Sequence, residues 1–312
     1  MDDVSSFHGK PHPILMSYTG SVADDQLLDF YDFSKAARGF ERSLAITTHF
    51  VIHNEIITQV TSLRGAQILC SPPSEGSFKL PAWIFAASVA TYSIGSLENN
   101  NPLGHIIFSI YELAIYEATG QKVDYEKSLR EIYNESLQEN SDGLILPKKY
   151  QIEALVEKIE TSISDMYRPI IGSETADSLD ISDSVTRRSG NPLMLNKETY
   201  ERLKYRKRSD DVERLSGKVS MFNMNTFNGR LVTFEDQRPI PFYVTHAARS
   251  SEGIQLIGQN FSRNISNPNA TDGNITFEVI KDTTRTGRTA KLLVVRVVFE
   301  NDFEDEVIDP ED

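Results

Sequence analysis

DFYDFSKAARGFERSLAITTHFVIHN, residues 29–54, is the stretch that decides how the first half of this chain folds. Phe30, Phe33, Ala37, Phe40, Leu44, Thr48 and Val51 recur at steps of three and four, the spacing of one buried helical face. Lys35, Arg38, Arg42, His49 and His53 fall together on roughly the opposite side, at about 100° per residue. A helix of this length spans about 39 Å, enough to cross a domain. Gly39 interrupts it at a cost of about 1 kcal/mol against Ala, which predicts close approach by another element.

Outward from this helix the chain reads as layers. Residues 13–20 (PILMSYTG) predict a first strand, and residues 66–71 and 78–84 a hairpin around PPSEGS. No charge occurs between residues 80 and 97, but Pro81, Gly95 and several hydroxyls favour a buried strand and core helix over a membrane span. Pro102 opens an apolar helix over 103–119 that Gly120 closes. A polar helix is predicted over 124–138 and an amphipathic one over 147–167, with Ile152, Leu155, Val156, Ile159 and Ile163 inward. This is a small sheet packed by long helices, an α+β domain over residues 1–172. Residues 173–189 are rich in Ser, Asp and Thr, so residues 173–216 read as a linker carrying a short basic helix over 197–208.

Beyond the linker, three short β runs (218–224, 230–235, 240–245) precede a helix over 250–265 and two more strands (274–281, 290–299). Five strands with a helix between the third and fourth predict an OB-like barrel over residues 217–300, although periodicity alone leaves an SH3-like barrel open.

Composition narrows the class. At 312 residues, 39% hydrophobic and 25% charged, the chain is globular and long enough for two cores. Its one cysteine, Cys70, fits a reducing compartment, and the N-terminal MDDVSSFHGKPHP lacks signal-peptide character. The expected location is the cytoplasm, and the Asn-x-Ser/Thr sequons at Asn260, Asn264, Asn269 and Asn274 read as chance. The net charge of −13 is concentrated in the tail, where residues 300–312 hold eight acids and no base; removing those −8 leaves −5 for the rest.

No phosphate-binding glycine loop, dinucleotide fingerprint, nucleophile elbow, HExxH or paired cysteines occur. No catalytic residue, cofactor or metal is therefore expected. His49 and His53 stand at i, i+4, but no third ligand is identifiable and their cationic neighbours oppose a metal ion. The stripe of Lys35, Arg38, Arg42, His49 and His53 suits an anion or a protein partner better. Glu112, within the apolar helix, has the setting of a raised-pKa acid with His105 nearby, against the plainer reading of a carboxylate bonded to a Tyr or His. In the barrel, Phe222, Phe227, Phe234 and Tyr243 are candidates to stack bases. Lys218, Arg230, Arg238 and Arg263 are candidates for phosphates. Residues 217–299 hold ten Lys and Arg against six acids, a mildly basic balance.

The run YDFSKAARGFERSLAITTHFVIHNEIITQ, with SPPSEGSFK and NPLGHIIFSIYE, resembles the N-terminal domain of an uncharacterised bacterial family. GKVSMFNMNTFNGRLVTFEDQRPIPFYV resembles that family's C-terminal domain. The resemblance implies two domains of unknown function, a bacterial origin and a setting among phage-defence genes, with no catalytic residues to carry over. Together these features predict a non-enzymatic interaction protein. Its N-terminal domain would self-associate or dock a protein partner, and its barrel would recognise a ligand such as nucleic acid. Two alternatives are a membrane-acting effector using the apolar helices within 80–119, and an enzyme centred on Glu112/His105 or Arg38/Arg42.

Overall fold

The computed structural model describes residues 12–57, 63–71, 78–86, 102–120, 147–183, 193–267 and 273–298. The turn at 72–77, most of the uncharged run after 86, the polar helix over 124–138 and the acidic tail lie outside the described residues. The chain divides into two compact units, residues 1–204 and 205–312.

In the first unit, β1 (His12–Thr19), β2 (Ala66–Cys70), β3 (Phe78–Ala86), β4 (Ser178–Asp183) and β5 (Leu193–Asn196) form an antiparallel sheet in the order β2-β3-β1-β4-β5. β1 is central, and its Ile14, Met16 and Tyr18 are wholly buried. The helices are α1 (Phe30–His53), α2 (Pro102–Ala118), α3 (Lys149–Met166), the single turn α4 (Arg168–Ile171) and α5 (Lys197–Lys204). One core joins sheet and helices, and the Tyr18 hydroxyl ties them by donating to the Met166 carbonyl at 2.6 Å.

The first helix keeps the bounds its sequence predicts. Asp29 caps it by accepting from the Asp32 amide at 2.8 Å, and Asn54 ends it in the left-handed conformation at φ 55°. Asp32 in its first turn accepts from Arg168 Nε at 2.7 Å and from the Ser173 amide at 2.8 Å, which locks the helix start to α4. Gly39 is where α3 crosses, since a Cβ there would overlap the Ser162 carbonyl oxygen. The two-faced pattern holds less well. Residues 43–50 are buried without a break, whereas Phe30 is 85% exposed.

The linker reading is corrected in the same way. Residues 178–183 alternate half-buried and buried, with Leu179, Ile181 and Asp183 inward, and β4 pairs directly with central β1. Two buried aliphatic side chains sufficed to hold a strand amid Ser and Asp. The basic helix stops at Lys204; Lys207–Arg208 instead form the short strand β6, where Arg208 makes a forked pair with Asp282.

In the second unit, β7 (Glu213–Asn223), β8 (Asn228–Thr233), β9 (Pro239–Val244), α6 (Ser251–Ser266), β10 (Ile275–Thr283) and β11 (Thr289–Val298) build a closed five-stranded barrel. β7, β8 and β9 pair antiparallel in sequence; β9 then pairs parallel with β11, β11 antiparallel with β10, and β10 closes on β7. This order, with α6 between the third and fourth strands, is the OB arrangement. It starts earlier than residue 217, because residues 213–217 already pair with β10.

Candidate functional site

Alternation along the barrel strands decides which side chains face out. Leu231, Ile240, Phe242, Val244, Leu292 and Val294 fill the interior. Arg230 pairs across from Pro241, Asn228 from Tyr243, Lys218 from Val232 and Leu293 from Tyr243, so these residues share the outer face of β7, β8, β9 and β11. On that face Arg249, from the segment before α6, lies 4.0 Å from the Phe227 ring centroid and 5.3 Å from that of Tyr243. Its Nη2 donates to the Tyr243 hydroxyl at 2.6 Å and its Nε to the Val244 carbonyl at 3.1 Å, which holds the guanidinium plane in place. Lys291 Nζ sits 5.2 Å from the Tyr243 centroid, and Arg230 Nη1 donates to the Pro239 carbonyl at 3.1 Å.

Phe227 occupies the last position of the β7–β8 turn at φ 55°, a conformation bulky residues seldom adopt. The Asn223 side chain accepts from the amides of Asn225 and Thr226 and thereby builds this turn. The resulting surface interleaves two rings with three cations on the strand-2/strand-3 side of an OB barrel, the side on which such barrels hold oligonucleotides.

Of the eight barrel candidates from the sequence, Phe227 and Tyr243 form this face with Arg249, and the other six fare differently. Lys218 and Arg230 stand on this face, and Phe234 is 65% exposed in the β8–β9 turn. Phe222 packs inward, its ring stacked 6.1 Å from that of Phe242, because a register shift after Val219 turns it over. Arg238 is 1% exposed and donates to the Thr289 carbonyl at 2.5 Å, so it is part of the barrel's interior rather than a phosphate ligand. Arg263 belongs to α6 and lies against Gly273. Arg249 and Lys291 were missed; the signal that could have found Arg249 is its place just after the third strand. Asn260 is buried, accepting from the Val219 amide at 2.8 Å and donating to the Gly273 carbonyl at 2.7 Å, so this sequon position serves the fold.

The N-terminal stripe is also split. Arg38 and His53 are exposed, Lys35 and Arg42 half-buried, and His49 buried. The His49 ring lies tilted against that of His53, centroids 4.5 Å apart, with both of its nitrogens unpartnered among the described residues. Burial, then the neighbouring His53, pushes the His49 imidazole below its usual range. His53 instead contacts the Arg64 carbonyl at 3.0 Å. Glu112 accepts from the Tyr116 hydroxyl at 3.2 Å, the structural pairing, and burial together with that carboxylate raises the phenol to about 12. His105 lies elsewhere: its Nδ1 is 3.2 Å from Asp183 Oδ2, and His12 Nε2 is 3.2 Å from the same oxygen. Among the described residues no helix is long and apolar enough to cross a membrane.

Fold and surface thus define a class: an α+β domain followed by an OB-topology barrel with an aromatic, cationic outer face. Residues 14–204 match a domain of unknown function (DUF7946) and residues 211–298 a family of unknown function (DUF7947), so the chain belongs to the family of DUF7946 proteins. No curated protein and no solved structure matches it. Neither domain match bears on a role in phage defence.

Proposed function

We propose that this is a non-enzymatic cytoplasmic interaction protein whose barrel binds single-stranded nucleic acid across β8 and β9. The supporting observation is the surface of Phe227, Tyr243, Arg249, Arg230 and Lys291 on the strand-2/strand-3 face. Phe227, Tyr243 and the fixed Arg249 plane offer stacking platforms that accept any base, while Arg230, Lys291 and Lys218 meet phosphates. The α+β domain associates with a second copy through the exposed Leu27, Phe30 and Tyr31 at the start of α1, with Lys35 and Arg38 at the rim.

Fluorescence anisotropy with labelled dT20 and rU20 tests the barrel. Binding is expected at 50 mM NaCl, with a log–log salt slope of about −2 to −3 for three to four phosphate contacts. Tyr243→Ala should weaken it about tenfold or more; Arg263→Gln should leave it unchanged. No salt-dependent shift with either oligomer would end the nucleic-acid reading. Light scattering of the eluting peak tests self-association, which a strict monomer at about 100 μM protein, where any dimer tighter than about −5.5 kcal/mol is well populated, would eliminate.

A further inference from the structure

His12 begins β1, Asp183 ends β4, and His105 lies in the first turn of α2. The pairing of Ile14 with Asp183 sets His12 and Asp183 on the same face of central β1 and its neighbour β4, and α2 brings His105 over them. Asp183 Oδ2 lies 3.2 Å from His12 Nε2 and 3.2 Å from His105 Nδ1, and the three ligand atoms all lie within 4.8 Å of one another. The two imidazoles meet edge to face, with centroids 4.6 Å apart. A Cβ on Gly104 would overlap the His12 side chain, so glycine at this position lets the helix turn press against that ring.

We propose that these three side chains hold one divalent first-row transition ion of the zinc type, with His12 Nε2, His105 Nδ1 and Asp183 Oδ2 as ligands. Three observations favour an ion over a plain His–Asp–His hydrogen-bond network. His12 is 1% exposed, yet its Nε2 has no hydrogen-bond partner among the described residues; it is close to Asp183 but off the line of a hydrogen bond. Both nitrogen–oxygen separations are longer than the 2.7–2.9 Å typical of charge-assisted bonds, roughly. They are close to the edge of about 3.3 Å that a tetrahedral ion sets with ligand bonds near 2.0–2.1 Å. The donor set of two imidazoles and one carboxylate is that of three-ligand zinc and iron(II) sites, which keep a position open for water. His105, whose side chain is 20% exposed, marks the side on which that position opens. The ion would tie the start of α2 to β1 and β4. It owes nothing to the barrel, so its fate and that of the nucleic-acid reading are separate.

The test uses the full chain, stripped with EDTA and dialysed, then titrated with ZnCl2 by calorimetry and with CoCl2 by visible absorption. One equivalent is expected to bind, with a visible Co2+ band of a four- or five-coordinate site and a rise in Tm of about 5–10 °C at a hundredfold excess over Kd. His105→Gln, at the partly exposed ligand, should keep the fold and weaken binding at least tenfold; Asp183→Asn should abolish it. His49→Gln/His53→Gln should bind as the parent does. Three results would overturn the proposal: no binding tighter than about 100 μM by the parent protein, undiminished binding by His105→Gln, or loss of binding in the His49/His53 variant alone.

Discussion

Replacing Gly39 and Gly258 by alanine subjects the same chemical change to two different surroundings. In an open helix the change is worth about 1 kcal/mol in favour of alanine, because glycine loses more backbone freedom on folding. Gly258 in α6 has nothing within 4 Å of its would-be Cβ, so Gly258→Ala should stabilise the barrel by about 0.5–1 kcal/mol. Gly39 faces the Ser162 carbonyl oxygen, with Asp165 Cβ at 3.0 Å and Met166 Cγ at 3.4 Å. The nearest obstacle is backbone, which no rotamer change can move, so α1 and α3 must separate. Overpacking of that kind costs about 1–3 kcal/mol, and the backbone obstacle puts this site at the upper end. After the propensity gain, Gly39→Ala should lose about 2 kcal/mol, or roughly 4–8 °C in the Tm of a domain this size. Urea and thermal unfolding followed by circular dichroism read both variants. If Gly39→Ala stabilised the protein as Gly258→Ala does, the close crossing of α1 and α3 would be wrong.

Two further outcomes follow from buried polar groups. Arg238→Met keeps the aliphatic stem but leaves the Thr289 carbonyl without its guanidinium donor; denaturation should show a loss of about 1–3 kcal/mol with oligonucleotide affinity unchanged, whereas a surface phosphate ligand would give the reverse. His49 is held below its ordinary range by burial and by His53, with Arg64 adding and Glu55 opposing. Its unfolded form therefore takes up a proton first. The stability it contributes is full above about pH 6.5 and falls as pH drops toward the folded value, by at most about 1.4 kcal/mol per unit. Urea midpoints measured from pH 7.5 to 5 should fall less in His49→Gln than in the parent; parallel curves would show that His49 is not the group responsible.

Local signals were legible wherever one short stretch carried the whole instruction. The extent of α1 and Gly39 as its crossing point are legible, because periodicity acts within a turn and a helical glycine marks the absence of a side chain; the structure adds Asp29 as the cap and Asn54 as the left-handed stop. Barrel strand order followed from the alternation and the placed helix, yet the choice of OB over SH3-like closure needed the parallel β9–β11 pairing. Which residues of a face are wet was less legible. Spacing groups Lys35, Arg38, Arg42, His49 and His53 as one face for an anion or a partner, but packing encloses residues 43–50, His49 among them, and leaves Phe30 outside. Arg238 and Phe222 were read as surface groups for the same reason: a turn and a register shift reassign the side of the barrel each side chain meets.

By itself, then, the amino-acid order determined the long helices, most of the strands and a five-stranded barrel after an α+β domain, since periodicity and turns act over a few residues. Tertiary structure alone decided that residues 178–183 are a strand beside β1, because their pairing partner lies at the other end of the domain. It also decided what that strand brings together. His12, His105 and Asp183 carry no recognisable spacing, and only the closing of β1 on β4 beneath α2 makes them neighbours. Phe227 and Lys291 likewise join Tyr243 and Arg249 on one surface only when β8 and β11 pair with β9. Sites assembled from distant segments leave no local periodicity to read, and this protein builds both of its candidate sites that way.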